Sequence, residues 1–287
     1  MSDTKRSLKF VMSHSEVAHG RIYGPATPHG MRDDFSRRVR NEKIASVFKR
    51  FLIARVAFDA IIEMFRSSEP MRFEPINIFV ERTLFGLKEE CHSLFRDPGR
   101  RVGDTLYAED LFDVLIGSIF HETMKIKENC YILEQYGPTY RSMAAIAERR
   151  IQVPAYERLF FRACKRIIER ASTAVYEDVR AAEQLFNDAT EHLLSILPRF
   201  ANNGLVTRML VENEQLVEMV YGEDGLEMVL DKMYEGRLFN AHLHAASSYL
   251  EAGRFQEARE CCERSLAAKP DNIGAARLMA RLKQRGA

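Results

Sequence analysis

Glu89 and His92 stand at the spacing where two helical side chains can meet one metal ion. In helical bundles such Glu-x-x-His pairs come in twos around a di-iron centre. No second such pair occurs on the seam-bearing helices; Glu16 and His19 share the spacing but lie in the N-terminal arm. His121, Glu122 and Glu128 share another helical stretch, but Lys125 stands one turn after His121. A cation there opposes a metal, and a zinc protease would need a histidine at that place. Glu89, His92, His121 and Glu122 therefore define an alternative reading, a metal-dependent helical-bundle oxidoreductase, against the reading of ordinary structural polar residues. His242 and His244, two residues apart on a helix, point to different faces and are expected as satisfied histidines. The sequence contains no phosphate-cradling glycine loop, nucleophile elbow or Cys-x-x-Cys pair, so no catalytic residue and no cofactor is expected.

The elements that would position these groups are helices. The chain has 287 residues, 9 prolines and 15 glycines, and its abundant Ala, Leu, Glu, Arg and Met favour helix over sheet. Residues 1–32, with Gly20, Gly24, Pro25, Pro28 and Gly30, read as a disordered basic arm. Order is expected from Asp33, whose neighbours Asp34 and Ser36 also offer capping oxygens. Ile44, Val47, Phe51, Ala54, Phe58, Ile61 and Phe65 then alternate steps of three and four, the signature of one apolar seam. A second helix carries Ile76, Val80, Leu84, Leu87, Cys91 and Leu94, and a third carries Phe112, Ile116, Ile119, Thr123, Ile126, Cys130 and Leu133. Gly137 and Pro138 are expected to end that third helix, with a short helix over 139–149 after them. From Pro154 to Leu197 there is no breaker, and Val175, Val179, Ala182, Phe186, Ala189, Leu193 and Ile196 form another seam. The expected fold class is all-α: a bundle of long antiparallel helices over 33–201, with an intermolecular coiled coil as the alternative. Pro198 and Asn202–Gly204 mark a boundary, followed by a helical region over 202–287 that opens with helices over about 205–220 and 223–235. Tyr131, Tyr136, Tyr140, Tyr156, Phe160 and Phe161 crowd around the Gly137–Pro138 turn; core is their expected fate, and exposure would mark a partner surface.

Beyond these helices the spacing of small residues changes character. In a 34-residue unit starting at Phe239, Ala246 falls where two helices cross, Tyr249 packs beside it, and Gly253 turns the chain. Phe255 opens a second helix, Ala258 is its small crossing residue, Leu266 closes the apolar face, and Pro270 ends the unit. This segment resembles the tetratricopeptide repeat family, with His242, Cys262 and Ser265 departing from the usual residues. The resemblance covers one unit (239–272) and a capping helix (273–285); the preceding stretch puts Glu212 and Gln215 where the small residue and the tyrosine should be. It implies a helical hairpin that engages protein. The inner face that holds peptides in the family would carry over to Asn240, Leu243, Ser247 and Glu251, with Arg277 and Arg281 from the last helix. One repeat cannot bury its own faces, so it must lean on its neighbours or extend another solenoid.

Charge adds polarity to this picture. The net charge is +1, so no global field attracts nucleic acid or an anionic membrane. Yet residues 1–55 hold 12 Lys/Arg against 5 acids, and residues 204–236 hold 8 acids against two bases. Arg37, Arg38, Arg40 and Lys43 form a candidate basic docking patch; without a recognition helix or stacking aromatics, nucleic acid is not expected there. Five cysteines, an odd number including the vicinal Cys261 and Cys262, indicate a reducing compartment, and no signal segment or long apolar run is present. The expectation is a cytoplasmic, non-catalytic adaptor, scaffold or assembly factor with protein partners, or else a homo-oligomer that assembles through its stripes.

Overall fold

A computed structural model describes residues 28–67, 72–95, 104–149, 154–201 and 203–285, and side-chain surroundings from residue 40 onward except for 95 and 104–110. The basic arm falls mostly outside these residues, at 1–27. Helix α1 runs Pro28–Arg66, so it begins ahead of the capping oxygens at Asp33 and Asp34; proline is pre-set for a first helical turn. Next come α2 (Phe73–Ile78), a π-helical turn (Phe79–Leu84) and α3 (Phe85–Phe95), then the two longest helices, α4 (Asp104–Glu148) and α5 (Ala155–Ile196). A 3-10 turn (Leu197–Phe200) leads to α6 (Gly204–Glu212), α7 (Glu214–Tyr221) and α8 (Gly225–Tyr234). The chain continues through α9 (Leu238–Glu251), α10 (Phe255–Ala268) and α11 (Ile273–Gln284), and no strand occurs among the described residues.

The four long elements form an up-and-down bundle. Lys43 donates to Ser93 at 3.0 Å and Arg50 pairs with Glu90 at 2.8 Å, so α1 runs antiparallel to α3. His92 faces Asp113 and Lys127 pairs with Glu81, which sets α4 antiparallel to α3. Asn129 donates to Asp178, and Arg55 donates to Asn187, closing the ring with α5 against both α4 and α1. Every seam position on α5 from Val175 to Ile196 is buried. Inside, Phe58 stacks on Phe186 with ring centroids 4.6 Å apart, and Phe51 meets Phe112 edge-on at 5.5 Å. Thr123, fully buried on α4, returns its hydroxyl to the Ile119 carbonyl at 2.7 Å, which satisfies a polar group inside the seam.

Three local features differ from the expectation. Pro138 lies inside α4. The residue before a proline is normally pushed out of the helical region by its Cβ, and Gly137 has none. The extended α4 also gains a contact, since Tyr140 stacks on Phe161 of α5 at 5.5 Å. The second helix contains a π-helical turn: Ile76, Val80 and Leu84 recur every four residues, which on an α-helix drifts by about 40° per step. The wider turn holds all three in the core together with Phe79. Finally, the first acidic helix is split at Asn213, whose side chain donates to the Met209 carbonyl at 2.7 Å and competes with the helical ladder.

One apolar cluster joins the bundle to Val206, Met209, Leu210, Val217, Leu226, Val229, Leu230, Met233 and Ala241. It runs unbroken across the Pro198–Gly204 segment. Phe48 of α1 meets Phe200 of the 3-10 turn edge-on at 5.3 Å, and α6–α8, which follow it, share the bundle's apolar cluster. A second cluster lies within α9–α11, and Val211 packs against both.

Candidate interaction site

The terminal hairpin is built on small residues. Ala245 and Ala246 on α9, Ala258 on α10 and Ala275 on α11 are fully buried, where any larger side chain would separate the helices. Gly253 adopts φ 75° and turns the chain between α9 and α10, and Phe255 opens α10. Tyr249 is buried under the Arg254 guanidinium, which lies 4.8 Å from its ring centroid. Leu266 is half-buried and Pro270 exposed. Ser265, fully buried, donates to the Phe239 carbonyl at 2.8 Å and accepts from Asn272 at 2.9 Å. The Asn272 side-chain oxygen in turn accepts from the Gly274 and Ala275 amides and caps α11. One serine thus locks all three helices together. Cys261 and Cys262 are buried, which pushes both thiols up to about 11 and leaves them packing groups rather than nucleophiles.

The hairpin leans on α6. Gly204 sits so close to α9 that a Cβ there would come 3.1 Å from the His244 carbonyl oxygen. Arg208 donates to the Ser248 carbonyl at 3.2 Å, and Arg254 pairs with Glu212. At the centre, His244 Nδ1 lies 2.9 Å from the Ala201 carbonyl and 3.0 Å from the Tyr234 hydroxyl. That hydroxyl is 2.6 Å from Thr207, whose own hydroxyl reaches the Asn203 carbonyl. Carbonyls only accept, so the proton order is fixed: Nδ1–H gives to Ala201 and Tyr234, Tyr234 to Thr207, and Thr207 to Asn203. The expectation of a satisfied histidine holds for His244 and fails for His242, whose buried Nδ1 has no hydrogen-bond partner, and nothing in the sequence pointed to Thr207 and Tyr234, which lie 27 residues apart in the chain.

Residues 239–282 match the family model of the tetratricopeptide repeat. No curated protein and no solved structure matches the chain. The match spans α9 from Phe239, all of α10 and most of α11, and covers 44 of the chain's 287 residues. Of the residues expected on its inner face, Leu243 is half-buried against Gly274, where a Cβ would come 2.8 Å from the leucine Cδ2; this contact sets α9 beside α11. Asn240 and Ser247 are half-buried, while Glu251, Arg277 and Arg281 are exposed. Ser247 follows Leu243 by four residues, and Arg277 and Arg281 follow Gly274 by three and seven, so both rows continue in one direction from the contact.

Next to the unit lies a cleft of about 330 Å³. Glu214, Glu218, Glu223, Asp224 and Glu227 of the α7–α8 region line it together with His242 and Arg264 of the hairpin. His242 Nδ1 is buried without a hydrogen-bond partner, and burial, reinforced by Arg264, lowers the pKa of the imidazole. The acidic surplus of the sequence is thus gathered beside the repeat.

The remaining sequence candidates disperse. Glu89 and His121 are exposed, Glu122 pairs with Lys125 at 2.8 Å, and His92 sits 3.4 Å from Asp113. No group of three or more possible metal ligands occurs among the described residues. Cys91 adjoins Asp113, but burial and that carboxylate both push its thiol up, the wrong direction for a nucleophile. In the basic patch, Arg40 and Lys43 lie exposed on α1, and the side chains of Arg37 and Arg38 fall outside the described residues. Among the described residues no helix is long and apolar enough to cross a membrane.

Proposed function

We propose that the protein is a non-catalytic adaptor or assembly factor that captures a protein segment on the face shared by α9 and α11. The supporting observation is the mounting of the tetratricopeptide unit. Its back is fixed to Ala201 and Tyr234 by His244 and to α6 by Arg208, while Ser247, Glu251, Arg277 and Arg281 remain accessible on the rows beside Leu243 and Gly274. A unit held this firmly presents its face without the entropic cost of ordering it on binding. The bundle serves as the rigid body that positions it, and the neighbouring acidic cleft and the basic residues of α1 give the surface its polarity. Five buried, unpaired cysteines suit such a protein to a reducing compartment, the cytoplasm.

Affinity capture with the wild-type chain and with Arg277→Glu/Arg281→Glu, followed by mass spectrometry, tests this reading. Both arginines are exposed, so the double variant keeps its fold, and the captured partner is lost. An unchanged partner set at equal Tm rejects the α9–α11 face as the binding surface.

A further inference from the structure

Glu212 is paired with both Arg208 and Arg254, but the five carboxylates that line the neighbouring cleft have no ion-pair partner among the described residues. They surround apolar side chains, since Leu226 and Leu230 are buried and Leu238 half-buried in the same lining. The Nδ1 of His242, closed off from solvent in that lining, also lacks a partner. Buried polar atoms in folded proteins are nearly always paired, and carboxylates gathered without a counter-charge repel one another. The cleft is thus half of a contact. Its carboxylates do not converge as metal ligands do. The fitting complement is an extended one: cations flanking an apolar side chain, with a donor for the imidazole.

We infer that this complement is residues 5–10 of the same chain, which dock in the cleft between the α7–α8 region and the hairpin. Lys5, Arg6 and Lys9 alternate there with Leu8 and Phe10, and residues 1–27 carry four bases against Asp3 and Glu16. The tether starts at the right end of the fold. Arg55 faces Asn187 and Phe48 faces Phe200, so the N-terminal half of α1 runs beyond the end of α5, where α6 and α7 pack on α1. The same α7 supplies Glu214 and Glu218 to the cleft. From Lys9 to Pro28 an extended chain spans about 60 Å, enough to cross that end of the molecule. A tethered segment meets its site at an effective concentration in the millimolar range, an advantage that a basic segment of a separate partner lacks. Ion pairs at an open cleft are individually weak and screened by salt, so the docked segment exchanges with solvent and is released at high ionic strength.

Zero-length cross-linking of the full chain with a water-soluble carbodiimide, read by mass spectrometry, tests this, because the reagent joins only amines and carboxylates already in contact. Lys127 with Glu81 and Lys125 with Glu122, at 2.7 and 2.8 Å, are the internal controls. Lys5 or Lys9 is expected to link to the cleft carboxylates at least about ten-fold more often than to carboxylates elsewhere, and roughly 1 M salt to abolish the preference. In an equimolar mixture of unlabelled and 15N-labelled chains the links stay within one isotopic species. Glu214→Gln/Glu223→Gln/Glu227→Gln, at three exposed positions, is expected to weaken the links to the remaining Glu218 and Asp224 as well, with the controls unchanged. Control links without any from Lys5 or Lys9 to the cleft overturn the inference. So do arm links spread evenly over the surface, links at Glu218 and Asp224 that are indifferent to the triple substitution, and links that join unlike isotopes, which assign the cleft to a second copy. None of these readouts involves Arg277 or Arg281, so they are independent of partner capture by the repeat.

Discussion

The imidazole of His244 hands its Nδ1 proton to the carbonyl of Ala201 at 2.9 Å, which ties the first helix of the repeat to the end of the bundle across 43 residues of sequence. Replacing His244 by Ala leaves the Ala201 carbonyl unpaired and removes a partner of Tyr234. A loss of about 2 kcal/mol is expected from the denaturant midpoint. Asn, whose amide nitrogen reaches the same place as Nδ1, should restore about half of that loss. Equal stability of the Ala and Asn variants contradicts the proton order described above.

Ser265 stands where an alanine is usual in the repeat family, so Ser265→Ala moves the chain toward the family pattern. It is nevertheless expected to destabilise by about 1–2 kcal/mol, because the Phe239 carbonyl and the Asn272 amide both lose their partner. Thermal unfolding of the purified variant decides whether packing or the hydrogen bonds dominate.

Alkaline pH should weaken the fold. Burial raises the Cys261 and Cys262 thiols from 9.0 to about 11, Cys130 to about 12, and the Tyr234 and Tyr249 phenols from 10.0 to about 12. The native state then holds protons that the unfolded chain releases, so stability is full below pH 9 and falls between pH 9 and about 12. Guanidinium midpoints at pH 8 and pH 10.5 give the slope; a flat profile counts against the burial of these groups. For the same reason the thiols should resist aromatic disulfide reagents at pH 8 until the protein is denatured.

A chain ending at Asn203 is expected to lose cooperative unfolding altogether. It lacks Val206, Met209, Leu210, Val217 and Val229, which belong to the same apolar cluster as α1. A sharp calorimetric transition for that fragment would show that the bundle core is self-sufficient after all.

The seams on α1, α4 and α5 were legible because an amphipathic helix in a bundle must repeat its apolar residues every three or four positions, and Val175 to Ile196 obeys this without exception. The tetratricopeptide unit was legible from Ala246, Tyr249, Gly253 and Ala258, since close helix crossings restrict residue size. Periodicity does not reveal where a core stops. Tyr156 and Phe160 fit a stripe as well as Phe186 does, yet both are exposed. Local punctuation also misled: Pro138 predicts a break, and the missing Cβ of Gly137 together with the Tyr140–Phe161 stack outweighs it. The network from His244 to Thr207 was invisible, since it joins three elements whose relative placement follows only from the assembled fold.

The contact between Phe48 and Phe200 also has a meaning in time. Some 150 residues separate the two rings, so during synthesis at about 5–20 residues per second Phe48 waits on the order of 10 to 30 s for the 3-10 turn to emerge and cover it. Nascent chains therefore hold the Phe48 end of α1 uncovered after Phe51 and Phe58 have met Phe112 and Phe79.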